Sequence, residues 1–402
     1  MSQAACESDR LAPSAVHPIV PVRSAATDSV TDVDAESGQR GPALEPGGSA
    51  GLATRTRVVD PRDLLEDEPA RRVREVRTGA DLGYLMLLRG AGVLTLAVMI
   101  LIGLFLFLRA LEALSSAGTG FVTTAEWNPD NGRFGIAAVL LGTVSIGLTA
   151  IVAALPLALG MALFISEYAP ARFKRTLVNL VDLMAAVPSI VYGLWGLFML
   201  QPDLLVVGPT GEGLPRWLAT YAGWLPLFRI EQDGVPVDPS DPLVPAQLFG
   251  SSTFVAGLVV ALMVSPIACS VMRESFAQAP LNEREGAYAL GATTWGMIRT
   301  VVLPFGTGGI IGGLMLGLGR ALGETIAVVM VISLSFTVKA RILEAGTSSI
   351  SSLIALKYGE ASPLATSGLM AAGLTLFLLT LLLNFTASIG IARSRSGAVS
   401  DA

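Results

Sequence analysis

The sequence predicts an all-α integral membrane protein, and three observations carry that prediction. Of 402 residues, 52% are hydrophobic and 15% charged, and the mean hydropathy of +0.63 lies well above that of an ordinary soluble domain. Six windows are long and apolar enough to cross a hydrocarbon core of about 30 Å, which takes roughly 20 helical residues. The basic residues between these windows are arranged to favour one orientation. Composition also excludes some chemistry. The single histidine, His17, sits in a Pro/Ala/Ser-rich stretch, and Cys6 and Cys269 lie in unlike contexts. Neither a metal site nor a disulfide framework is supported. The net charge of -5 with dispersed basic residues sets nucleic-acid binding aside. Any function must rest on carboxylates, arginines, hydroxyls and backbone.

Residues 1–80 mix Pro, Gly, Ser, Ala and charges of both signs without apolar periodicity, the composition of a disordered tail. No apolar core with a small-residue cleavage site follows a basic start, so the tail is expected to be cytosolic and not a secretory signal. The predicted spans fall near 86–109, 135–165, 176–200, 253–272, 305–334 and 365–391. The second holds Pro156 and the third contains VPSIVYG, interruptions that a membrane helix tolerates when neighbours satisfy the freed carbonyl. A cytosolic N-terminus places RRVREVR (71–77), ARFKR (171–175), the 273–304 loop and ARSRS (392–396) inside. The outer connections are then about 110–134, 201–252 and 335–364. The 201–252 insertion, rich in Pro, Gly, Asp and Trp, reads equally as a docking surface or an irregular connection.

Between the fourth and fifth spans runs RESFAQAPLNEREGAYALGATTWGMIRTVVLP, too polar to span and too patterned for a plain linker. Asn282 followed by Glu285 fits an N-cap with a carboxylate three residues on, starting a short helix through Leu290. Gly291 breaks it. Thr293 or Thr294 can cap a second helix, in which Trp295, Ile298, Val301 and Val302 recur at helical spacing, and Pro304 suits entry to the next span. The expectation is two short helices meeting at a glycine beneath the membrane.

At this loop the sequence resembles the membrane subunits of importing ATP-binding-cassette (ABC) transporters, whose signature is E-A-A, three residues, G, nine residues, I-x-L-P. Here Glu285-Gly286-Ala287 is followed by Gly291 and then by Val301-Val302-Leu303-Pro304, departing at Gly286 and Val301. The resemblance implies that the first short helix docks on a separate ATPase. The small residues Gly286, Ala287 and Ala289 suit close helix approach, and Glu285 suits capping or pairing at a groove rim.

The fifth window carries GLGRALGETIAV. Read as one helix over 305–334, about 45 Å long, it puts Arg320 near the bilayer centre. An arginine there costs roughly 2.5–3.5 kcal/mol on insertion scales and faces a bundle interior or a watery path. Glu324, four residues on, falls on the same face, so one reading is a self-neutralising structural pair. The other is a role in an anion pathway. Arg before Glu is the weaker order for such a pair, and a guanidinium retains donors suited to an oxyanion. Both favour the pathway reading. Glycines at 306, 308, 309, 312, 313, 317, 319 and 323 allow close backbone packing and local bending.

GLGRALGET, LFISEYAP (163–170) and VPSIVYG (187–193) together resemble the phosphate-transport permeases, and more closely the C-type of the two. The similarity covers roughly 135–391. It implies a six-helix type I ABC importer permease, with the compositionally disordered tail of residues 1–80 lying outside the similarity. It further implies pairing with a second permease subunit, a cytosolic ATPase dimer and an extracytoplasmic phosphate-binding protein, with Arg320 and Glu324 associated with transport. Thr325 would add a hydroxyl to the path. Residues 81–134 would form the first span and outer loop, and 392–402 a cytosolic end. No GxxxxGK[ST] occurs, so ATP would be used by the partner and no cofactor held by this chain. The competing class is an ion-coupled secondary transporter of an oxyanion working through Glu324 and Asp182, which leaves the patterned loop unexplained. A membrane enzyme using Glu324 ranks last.

Overall fold

The computed structural model describes residues 79–205, 213–232 and 235–395; the expected tail to residue 78 and residues 396–402 lie outside the described residues. α1 (Gly79–Ala117) is followed by the short α2 (Gly120–Thr123) and a hairpin of β1 (Trp127–Asn128) and β2 (Arg133–Phe134), whose register pairs Trp127 with Phe134. α3 (Ala137–Leu163) continues through a π segment to Tyr168, then α4 (Ala171–Ala186) and α5 (Ser189–Trp195) follow. The 201–252 insertion holds α6 (Leu214–Ala222), the strands β3 (Glu231–Gln232) and β4 (Val235–Pro236), and α7 (Gln247–Gly250). The rest comprises α8 (Thr253–Ala277), α9 (Leu281–Ala289), α10 (Thr294–Met297), α11 (Leu303–Gly323), α12 (Ile326–Val331), α13 (Ile350–Lys357) and α14 (Pro363–Arg395).

Among the described residues five helices are long and apolar enough to span, and counting α4 with α5 as one bent pair gives six. The expected third span is therefore not straight. α4 and α5 meet at 88°, because Pro188 cannot continue the ladder and Val187 before it is extended. Pro156 behaves otherwise, since α3 runs on through it. The expected fifth span is also interrupted. α10, a π turn over Ile298–Val302 and α11 form one continuous helix, Thr294–Gly323, after which Glu324 is extended and α12 begins anew.

α8 is the central pillar. It packs against α3, α11 and α4, and 67% of its most apolar stretch is buried, against 0% for α1, which packs chiefly on α14. The α8–α11 seam explains half of the glycines. A Cβ at Gly306 would meet Phe276, one at Gly309 would lie 2.1 Å from Ser275 Cβ, and one at Gly317 2.3 Å from Val264. Only glycine lets the two backbones approach so closely.

The connection expected at 335–364 contains a helix buried within the protein. α13 is capped by a reciprocal Ser349–Ser352 box, and Ile350, Ser351, Ser352 and Leu353 are buried. The Ile350 N–H donates to Thr143 Oγ1 (2.9 Å), and the Thr253 and Thr347 hydroxyls bond at 2.8 Å. The insertion before α8 has a small core of its own, built from Ala219, Ile230, Val244 and Phe249 with Ile342 and Leu343. Charges fasten it to the later loop. Glu344 accepts from the Glu231 N–H (2.8 Å) and pairs with Lys339 and Arg341, and Arg341 also pairs with Glu231. At its tip, the Ser240 hydroxyl and amide donate to Asp238 and hold that carboxyl below the usual range.

Candidate functional site

Arg320 lies in the last turn of α11, exposed, and not at the centre of an unbroken helix. The helix ends at Gly323, so Glu324 does not project from the same cylinder. Among the described residues no ion pair within 4.0 Å joins the two. The expected self-contained pair is absent because the backbone turns extended at Glu324, with ψ at 124°. Glu324 is buried, and its Oε1 accepts from the Ala327 N–H at 3.2 Å. The carboxylate thus satisfies one of the unpaired donors in the first turn of α12. Thr325 is half-buried and its hydroxyl donates to Gly323 O (3.3 Å) across the same break.

The second broken span meets this one. α5 packs on α12, and a Cβ at Gly193 would fall 2.8 Å from Ala327 Cα. The Tyr192 hydroxyl donates to Met184 O (2.9 Å), stitching α5 back onto α4 across the bend, and it lies within electrostatic reach of Arg320. Ser351 Oγ donates to Leu322 O (3.4 Å), bringing the buried hydroxyls of α13 to the same level. Two helix breaks, one arginine, one buried carboxylate and a set of hydroxyls therefore converge. Below them a cleft of about 580 Å³ opens between α8 and α11, lined by Ser270, Arg273, Glu274, Gln278, Gly308 and Gly312 among others. Asp182 belongs elsewhere. It accepts from Ser270 Oγ (3.1 Å) at the α4–α8 contact.

The patterned loop forms the expected pair of helical segments with corrections at each end. α9 starts after Pro280 without a side-chain cap, so Asn282 lies inside its first turn. Gly291 has φ +85°, the left-handed conformation that ends a helix cheaply only as glycine. Thr293, not Thr294, caps α10 by accepting from the Gly296 N–H (3.2 Å). The second segment is the root of the next span and not a separate helix.

α9 has no buried residue. Glu285 and Gly286 are exposed, and Ala287 is half-buried against the core beneath. A Cβ at Gly286 would meet nothing within 4 Å, so this chain's own fold does not demand glycine there. Around them Leu290 is 91% exposed, with Leu281, Tyr288 and Trp295 also uncovered. The helix is held by a residue that sequence reasoning missed. Arg284 Nη1 lies 3.0 Å from Glu167 Oε2, Nη2 donates to Phe276 O, and the Glu167 side chain is 4% exposed. Ser166 Oγ donates to the other Glu167 oxygen (2.6 Å). Ser166 and Glu167 of LFISEYAP are thus the anchor for α9, which only the tertiary structure reveals.

These features are those of a membrane subunit built to work with separate soluble proteins, and the chain belongs to the family of binding-protein-dependent transport system inner membrane components, which matches residues 154–394. It is similar to the phosphate transport system permease protein PstC 2 of Mycobacterium tuberculosis, 38% identical with 78% of this chain and 92% of the relative covered. PstC of Xylella fastidiosa is 36% identical, with 77% and 89% covered. Among solved structures, a chain of the crystal structure of a bacterial ABC transporter involved in alginate import aligns at 17% identity and TM-score 0.48, covering 77% of this chain and 96% of that one.

Proposed function

We propose that this chain is the membrane-spanning permease subunit of an ATP-driven phosphate importer, lying in the bacterial plasma membrane with both termini cytosolic. The observation that carries the reading is an uncovered surface on α9, followed after Gly291 by one continuous helix that ends at the charged α11–α12 break. Its similarity to PstC permeases supports phosphate as the cargo. A second permease subunit completes the path, an ATPase dimer docks on α9 through Glu285, Gly286, Ala287 and Gly291, and an extracytoplasmic binding protein delivers the anion.

In this reading Arg320 offers its forked donors to the oxyanion. Glu324 holds the break by capping α12, and releasing that cap would let Arg320 and Thr325 move relative to α12 as the bundle rocks between its openings. Hydrolysis occurs on the partner, which supplies the nucleotide site that this sequence lacks. The test is uptake of labelled phosphate and labelled sulfate in cells carrying wild type, Arg320→Ala or Glu324→Ala, with membrane levels checked. Loss of phosphate uptake at normal insertion is the expected result. Unchanged uptake in both variants would make the break purely structural.

A further inference from the structure

The geometry points to a phospholipid site in the seam between α1 and α14, selective for a zwitterionic aminophospholipid. The seam has an apolar part and a charged part in line. The apolar part is a groove of about 460 Å³ lined by Met99, Gly103 and Phe107 of α1 and Leu374, Phe377 and Leu381 of α14, among others. Further along the same two helices lies a pocket of about 400 Å³ bounded by Arg109, Glu112, Thr366 and the exposed Tyr358.

The spacing of charges sets the depth of each part. Residues 90–108, between Arg89 and Arg109, carry no charge. Those 19 residues span about 28 Å at 1.5 Å per residue, close to the thickness of the hydrocarbon core. Arg109 therefore sits at one interface. Met99, ten residues earlier, lies about 15 Å deeper, near the midplane, so the groove runs the depth of one leaflet. Its length and level suit an acyl chain, and the pocket suits the headgroup. Tyr358 at that level fits the aromatic preference of the interface.

The charges define the headgroup. Arg109 and Glu112 both line the pocket, and among the described residues they form no ion pair within 4.0 Å. The Arg109 guanidinium rests near the Phe105 ring at 5.7 Å. A guanidinium recognises phosphate, and a carboxylate one turn away matches an ammonium. Phosphatidylethanolamine supplies both and has N–H donors for the Glu112 carboxylate that the quaternary ammonium of phosphatidylcholine lacks, whereas phosphatidylglycerol would set its anionic headgroup against Glu112. The seam is also locked in place. Ser367 inserts into the α1 ladder, its Oγ accepting from the Ala113 N–H (3.0 Å) and donating to Arg109 O (2.8 Å).

The experiment reconstitutes the full transporter in nanodiscs with a lipid carrying a photoactivatable group midway along one acyl chain, the headgroup being ethanolamine, choline or glycerol. Adducts are mapped by peptide mass spectrometry. Adducts at residues 99–107 and 374–381 at least fivefold more frequent with the ethanolamine lipid are expected. Arg109→Gln should lower them severalfold, and Glu112→Gln should remove the preference over the glycerol lipid. Gly103→Leu should block labelling without touching the charges, since a Cβ there meets only the movable Phe377 ring, at 3.1 Å. Equal labelling by the three lipids in wild type would mean annular lipid only and would overturn the proposal. So would labelling absent from the assembled transporter but present in the isolated chain, which would mean that a partner subunit covers the seam.

Discussion

Replacing Arg284 by alanine should free α9 from the bundle without dissolving the bundle. The pair it forms with Glu167 is 3.0 Å long, with side chains 18% and 4% exposed. Breaking a fully buried pair costs about 3–5 kcal/mol, and a hydrogen bond to a charged group contributes about 1.5–3 kcal/mol. Because the arginine is partly solvated, about 2–3 kcal/mol is the appropriate range here. α9 buries no residue completely, so little else opposes its release. A loss of that size shifts the docked-to-free ratio of α9 roughly 30- to 150-fold, at tenfold per 1.4 kcal/mol. Hydrogen exchange at residues 281–290 should accelerate by a comparable factor while α8 and α3 stay protected, and substrate-stimulated ATPase activity of the reconstituted complex should fall. The exchanged pair Arg284→Glu with Glu167→Arg should restore part of both. An acceleration below about threefold in Arg284→Ala, or a double-mutant coupling energy under about 0.5 kcal/mol, would refute the clamp.

Glu324→Gln keeps a carbonyl oxygen to accept from Ala327 and removes the charge, whereas Glu324→Ala removes both. If the charge matters to transport, uptake should fall in the two alike; if the cap alone matters, only alanine should reduce uptake, with a stability loss of about 1 kcal/mol. Gly142→Ala would put a Cβ 2.0 Å from Ser348 O and should lower thermal stability in detergent by about 1–3 kcal/mol. Gly160→Ala on the same helix meets nothing within 4 Å and should be neutral or stabilising by up to about 1 kcal/mol. Gly291→Ala meets no atom but must hold φ near +85°, a strain of about 1–2 kcal/mol, readable as faster exchange in α9 and α10.

The number and approximate places of the spans were legible because each required a run of apolar residues, and Gly291 was legible because glycine punctuates helices for a local reason. The breaks were not equally visible. VPSIVYG carries a proline, yet Pro156 and Pro266 sit inside continuous helices, so proline alone does not say where a span bends. Nothing local marks Glu324 as extended, since GLGRALGETIAV reads as helix throughout; tertiary packing of α12 on α5 decides it. α13 was missed because TSSISS has the polarity of an outer loop, and only its partners on α3 and α8 let it be buried. Arg320, Glu324 and Thr325 flank the α11–α12 break, with Glu324 turned to a backbone donor and not to the arginine.

The 30 residues Thr294–Gly323 run as one helix, about 45 Å from end to end. Apart from the π turn at Ile298–Val302, a rod of that length has no joint between the end next to α9 and the end that carries Arg320. Tilting it by about 10° at one end would sweep the other sideways by about 8 Å, given that length. The compliance must then reside in the bearings, Gly291 below and the Glu324–Thr325 break above. Stroke and timing at the two ends are in this way tied by geometry, and a spin-label distance between positions 295 and 316 should stay constant through a transport cycle while the distances from either end to α8 change.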